Sequence, residues 1–186
     1  MFCHGEIVMR SVIMVLFLCL SACQRSLQEA EKALPAVGSA LPAFSLAELD
    51  GQRVSDRDLH GRPSVVALWS STCGSSRAAL AGIAALHREY ASRGLRVLVL
   101  ADDSSASAVR AVLDSAAVRV PVALASGTID QIFAPSKRWP WQKGVALPSF
   151  LVVDAAGTVK RRVIGIEQDP AMRMGRVRQS VAELIP

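Results

Sequence analysis

A chain of 186 residues, 51% of them apolar and with a net charge of +5, is long enough for one compact domain with its own core plus a leader or tether. The positive charge is mild and scattered, with small clusters at Lys160, Arg161 and Arg162 and at Arg173, Arg176 and Arg178. That pattern fits solvated faces, or at most a weak attraction to an anionic membrane surface, and does not indicate a nucleic-acid partner. There is no G-x-x-x-x-G-K-[ST] and no G-x-S-x-G, so nucleotide use and α/β-hydrolase chemistry lack support. His4, His60 and His87 stand apart without metal-ligand spacing, and neither a metal site nor a cofactor is expected.

The first residues are expected to be a leader. Arg10 precedes the run V-I-M-V-L-F-L-C-L-S-A, which is too short for a permanent bilayer span and fits the apolar core of a secretion signal. Met9 is a more conventional start than Met1. The run ends L-S-A-C at residues 20 to 23 and resembles the lipobox of bacterial lipoproteins. The resemblance implies cleavage after Ala22 and a lipid on Cys23. Residues 1–22 are then a lipoprotein signal peptide, 23–42 a lipidated tether and 43–186 the folded domain. The tether is rich in polar and small residues, with Leu27, Ala30 and Leu34 spaced for one short helix.

From Phe44 the pattern tightens. F-S-L-A-E-L, the D-G pair at 50 and 51 and Q-R-V predict a hairpin. One helical turn after Ser55 is followed by S-V-V-A-L-W, a continuous apolar run expected of a strand covered on both faces. Leu80, Ile83, Ala84, Leu86 and Tyr90 give residues 74–92 a helical period, stopped by Gly94. A strand from Leu95, a helix from Ser105 to Ala117, a short strand from Val120 and a short helix from Thr128 to Ala134 follow. A strand from Ser149, the A-A-G-T turn, a partner strand and a helix from Pro170 to Leu184 close the chain. Alternating strands and helices predict an α/β domain with a mixed central sheet flanked by helices and an N-terminal β-hairpin. At the end of the strand from Leu95, Asp102 and Asp103 are paired carboxylates that could in principle act, but they are expected to help start the helix before Ser104 and Ser105.

Cleavage after Ala22 would remove Cys3 and Cys19, and lipidation would occupy Cys23. Cys73 is then the one free thiol, and no intramolecular disulfide can form. An unpaired cysteine in an exported protein points to an intermolecular pair or a reactive thiol.

The segment W-S-S-T-C-G-S-S-R, residues 69 to 77, resembles the W-x-x-x-C-x-x-C-R segment of membrane-anchored thioredoxin-like proteins of the TlpA and ResA type. L-P-S-F-L-V-V-D-A-A-G-T-V, residues 147 to 159, resembles their cis-proline strand, and the opening hairpin matches as well. The resemblance covers residues 38 to 186 and implies a thioredoxin-like fold. It also implies a cis Pro148 facing Cys73, with neighbouring backbone able to pair with an extended substrate. Cys73 stands at the start of a helix, where free N–H groups and the helix dipole favour thiolate.

Three departures stand out. The second cysteine is Ser76, which cannot release a mixed disulfide but can donate a hydrogen bond to a Cys73 thiolate. The centre of the motif is Gly74-Ser75, without proline. The positions that carry an acid in such proteins hold Ala67 and Ala79. Three readings follow. One is monothiol thiol–disulfide exchange through Cys73, resolved by an external thiol from a protein or a small molecule such as glutathione. Another is a non-catalytic interaction module for an envelope protein, so whether the chain is an enzyme stays open. The third, a one-cysteine peroxidase, is the weakest, because Val66 and Ser70 replace the proline and threonine normally spaced before such a cysteine. Cys73, Ser76 and Pro148 are the candidate catalytic residues. Trp69, Thr72 and Leu147 flank them as candidate substrate contacts, with Trp69 also expected to pack beneath the thiol. Trp139 and Trp141, among the cations of K-R-W-P-W-Q-K, are a candidate partner-binding rim.

Overall fold

The computed structural model describes residues 34–134, 144–165 and 169–185. The expected signal, Cys23, most of the tether, Trp139 and Trp141 lie outside the described residues. Strands β1 (Ser45–Glu48) and β2 (Arg53–Ser55) form the N-terminal hairpin, followed by a 3₁₀ turn, Asp56–Leu59. Then come β3 (Ser64–Trp69), α1 (Gly74–Tyr90), β4 (Arg96–Ala101), α2 (Ala106–Ser115), β5 (Val122–Leu124) and α3 (Ile129–Phe133). β6 (Ser149–Val153), β7 (Val159–Val163) and α4 (Pro170–Leu184) complete the domain. Among the described residues, no helix is long and apolar enough to cross a membrane.

The sheet has seven strands in the order β2-β1-β5-β4-β3-β6-β7. β3 runs parallel to β4, with Val66 opposite Leu98, and antiparallel to β6, with Val66 opposite Leu151. All six β3 residues are buried, because helices and loops cover both faces. Alternate side chains serve opposite cores. Val65, Ala67 and Trp69 pack with α1, α2 and α4, whereas Val66 and Leu68 pack with α3, the 3₁₀ turn and the N-terminal segment.

Helix boundaries follow local chemistry. α1 gives way to a 3₁₀ turn that stops at Gly94, whose φ of 92° is open to glycine without a Cβ clash. α4 starts where the Asp169 carboxylate accepts from Ala171 N–H at 2.8 Å, with Pro170 at the first helical position.

The folded unit begins earlier than composition suggests. Leu34 and Leu41 are buried. Gly38 N–H donates to Val159 O at 2.8 Å, and Val159 N–H donates to Ser39 O at 2.9 Å. Residues 34–42, expected to belong to a free tether, therefore lie along the start of β7. The backbone supplies these bonds, so the Pro- and Gly-rich sequence carries little sign of them.

The segment entering β6 is braced from behind. The Leu147–Pro148 peptide bond is cis, as the family resemblance implies. Ser149 Oγ donates to Ala146 O at 2.5 Å and accepts from Gly165 N–H at 3.1 Å. Gly165 is closed to any side chain: a β-carbon there would lie 2.7 Å from Pro148 O and 2.8 Å from the Leu147 carbonyl carbon. Both are backbone atoms of a held segment and cannot swing aside. Gly165→Ala is expected to destabilise the domain by about 1–3 kcal/mol through overpacking. The measurement is a lower denaturant midpoint with an unchanged slope. An unchanged midpoint would show that the segment yields without cost.

Candidate active site

Three chain segments meet at one end of the sheet: the β3–α1 connection with Cys73, the end of β4, and the residues before β6. Parallel pairing brings the ends of β3 and β4 together, with Asp102 N–H donating to Trp69 O at 2.8 Å. Antiparallel pairing sets the start of β6 beside the end of β3, with Leu68 opposite Ser149.

Cys73 is the N-cap of α1, in extended backbone, and makes no side-chain capping bond. The residue is partly exposed. Sγ lies 3.8 Å from Ser75 Oγ and 3.7 Å from Leu147 O. The first turn of α1 holds no acidic residue, so nothing there offsets the positive end of the helix. Partial burial works against ionisation. Hydrogen bonding by the side chain and backbone of Ser76, then of Ser75, outweighs it and lowers the thiol pKa below its ordinary value. Ser76 itself is fully buried and its hydroxyl makes no full-geometry hydrogen bond, which leaves the nearby Cys73 sulfur as the acceptor open to it. An ionised sulfur would give that hydroxyl an acceptor.

The cysteine-bearing loop is tied down on its inner side. Asp103, 8% exposed, accepts from Ser71 N–H at 2.9 Å and from Ser71 Oγ at 2.5 Å. Arg77 returns from α1 to donate to Ser71 O at 2.9 Å. Asp103 therefore does not start α2 as expected. Ser105 caps that helix, accepting from Ala108 N–H at 3.2 Å, which frees Asp103 to turn inward. Asp102 is half-buried, and burial raises its pKa. The N–H groups of Ile129 and Gly127 offset part of the rise, and the charges of Asp130 and Asp103 add to it.

The candidate residues divide clearly. Cys73 and Leu147 meet, with Pro148 adjacent and buried. Thr72 is exposed beside the thiol, its N–H and hydroxyl both engaged with Ser70 Oγ. Trp69 is not open to a substrate: it is wholly buried and its Nε1 donates to Ser76 O at 2.7 Å, which steadies the first turn of α1. Its place on the Val65 and Ala67 face of β3 dictates that burial. Ala67 and Ala79 are also buried in this core, so neither puts a carboxylate beneath the thiol. Sequence reading missed Asp103, Ser149 and Gly165 as supports, because their partners are remote in the chain.

The AhpC/TSA family matches residues 37–162. A curated relative, the thiol-disulfide oxidoreductase ResA of Bacillus cereus, is 26% identical over 136 residues, spanning 73% of this chain and 74% of its own. The thioredoxin domain of a thiol-disulfide oxidoreductase from Bacteroides vulgatus superposes with a TM-score of 0.64 at 18% identity, covering 79% of this chain and 99% of that one. A secreted disulfide oxidoreductase of Mycobacterium tuberculosis gives a TM-score of 0.56 at 17% identity, covering 73% of this chain and 95% of that one. The structural matches establish a thioredoxin-like fold. With a family match that runs from the segment leading into β1 almost to the end of β7, the chain is a member of the AhpC/TSA family.

Proposed function

We propose that this chain is an exported, lipid-anchored thiol–disulfide exchanger that works with one thiol, Cys73, and an external resolving thiol. Residues 1–22 are its signal, Cys23 carries the lipid, and the folded domain faces the periplasm or cell envelope. The observation that carries the reading is the placement of Cys73: partly exposed, at a helix start without acidic neighbours, with its pKa lowered by Ser75 and Ser76. The names of similar proteins support the same chemistry, since ResA of Bacillus cereus is a thiol-disulfide oxidoreductase.

The exchange is balanced without a cofactor. The Cys73 thiolate attacks one sulfur of a substrate disulfide, forming a Cys73–substrate disulfide and releasing the other sulfur as thiolate. Ser76 has no sulfur to attack in turn. A thiolate from another protein, or a small thiol such as glutathione, attacks the substrate sulfur and returns Cys73 as thiolate. The backbone around Leu147, beside Sγ, is where an extended substrate segment would lie. A peroxidase cycle draws less support. Val66 is buried within β3, and the Ser70 hydroxyl pairs with Thr72 at 2.9 Å.

Incubation of the soluble domain with a peptide disulfide is expected to give a mixed disulfide through Cys73 that persists until glutathione is added. Cys73→Ser should form none, and mass spectrometry reads both. Absence of an adduct in the folded wild type would overturn exchange and leave the interaction module. Ser76→Ala, which removes the buried donor, is expected to move the alkylation rate of Cys73 to higher pH. An unmoved profile would remove Ser76 from the thiolate's support.

A further inference from the structure

The residues before Pro148 have a second hold, from α3. α3 is short, five residues, and is fixed by Ile129 and Phe133, which are buried one turn apart. This anchoring turns Asp130 towards the 144–147 segment. Asp130 Oδ1 accepts from Val145 N–H at 2.7 Å. The carboxylate also fits against Gly144 so closely that a β-carbon there would overlap it. Two residues beyond Val145, the Leu147 carbonyl stands 3.7 Å from Cys73 Sγ. The backbone of residues 144–148 forms no regular ladder; beside the packing of Val145 and Leu147 on the core and the close approach of Gly165, it is held by Asp130 at Val145 and Ser149 at Ala146.

We infer that Asp130 is a positioning residue for the candidate active site: its carboxylate seats Gly144 and Val145 and thereby sets where the Leu147 carbonyl stands relative to the Cys73 sulfur. That carbonyl accepts only, so it favours the protonated thiol, whereas the donors at Ser75 and Ser76 favour the thiolate. The segment's position therefore acts on two properties at once. Closer approach of Leu147 O holds the proton on sulfur and keeps the adjoining backbone ready for an extended substrate. Retreat frees the proton and spoils that docking edge. The second effect rests on the exchange reading above; the first does not.

The two effects have opposite signs, which separates positioning from a general loosening. The assays are iodoacetamide alkylation of Cys73 against pH, and exchange with a chromogenic cysteinyl-peptide disulfide at matched thiolate fraction. Asp130→Ala is expected to move the alkylation profile to lower pH and to slow peptide exchange by about tenfold, as small misplacements of reacting groups do. Gly144→Ala should do the same, because its methyl expels the carboxylate. Asp130→Asn keeps an oxygen acceptor for Val145 N–H and should remain within about twofold of wild type, given the modest net worth of one hydrogen bond. Hydrogen exchange at the Val145 amide of the wild type reads the tether itself and needs no variant to fold; protection supports the inference. Solvent-like exchange at Val145 would overturn it. So would wild-type behaviour of both Asp130→Ala and Gly144→Ala, or a shift of both to higher pH with loss of folded signal. If the wild type alkylates but never reacts with the peptide, exchange fails as a function, while the alkylation profiles and the Val145 amide still decide the role of Asp130.

Discussion

The site depends on the burial of β3. All six of its residues are covered on both faces, so the strand cannot shift without exposing two cores at once. Fully burying one such apolar side chain contributes roughly 1.5–3 kcal/mol. A rigid strand end fixes where the chain must turn, and Cys73 falls at that turn, at the head of α1. Trp69 extends the constraint past the strand, since its buried ring holds Ser76 O and with it the first helical turn. The thiol's surroundings thus follow from a core-packing requirement and not from any contact made by the sulfur.

Around that fixed point the other parts are held by polar groups. Asp103 ties the cysteine loop to the end of β4, and Asp130 and Ser149 tie the opposing segment. Asp130 and Ser149 each join an irregular stretch to a regular element, and Asp103 joins the cysteine loop to the turn just after β4. That arrangement answers the need of buried or half-buried backbone polar groups for partners where no ladder supplies them. The Ser76 hydroxyl is buried without a full-geometry partner, a cost that a hydrogen bond to a charged Cys73 sulfur would relieve.

Much of the architecture was legible in the sequence because the relevant signals are local. The run S-V-V-A-L-W spans the observed β3, and Pro170 marks the observed start of α4. Cys73 and Pro148 were placed by motif resemblance and do lie at one end of the sheet. What was not legible depends on partners far along the chain. Residues 34–42 have the composition of a linker yet pair by backbone with residues 157–159. Asp103 sits two residues before a helix cap, in a position that suggests helix initiation, but its bonds reach back 32 residues to Ser71. Strand alternation with Val65 and Ala67 sends Trp69 inward, which fits its expected packing beneath the thiol and leaves it closed to a substrate.

The measurement closest to the central claim is the alkylation rate of Cys73 against pH in the folded soluble domain, beside the same chain in denaturant. An activated thiolate requires the folded profile to lie below that of the unfolded chain, whose thiol titrates near ~8.5, with rapid reaction at neutral pH. A folded profile at or above the unfolded one, or no reaction until denaturation, would contradict the account and leave a thioredoxin-like fold that binds without exchanging.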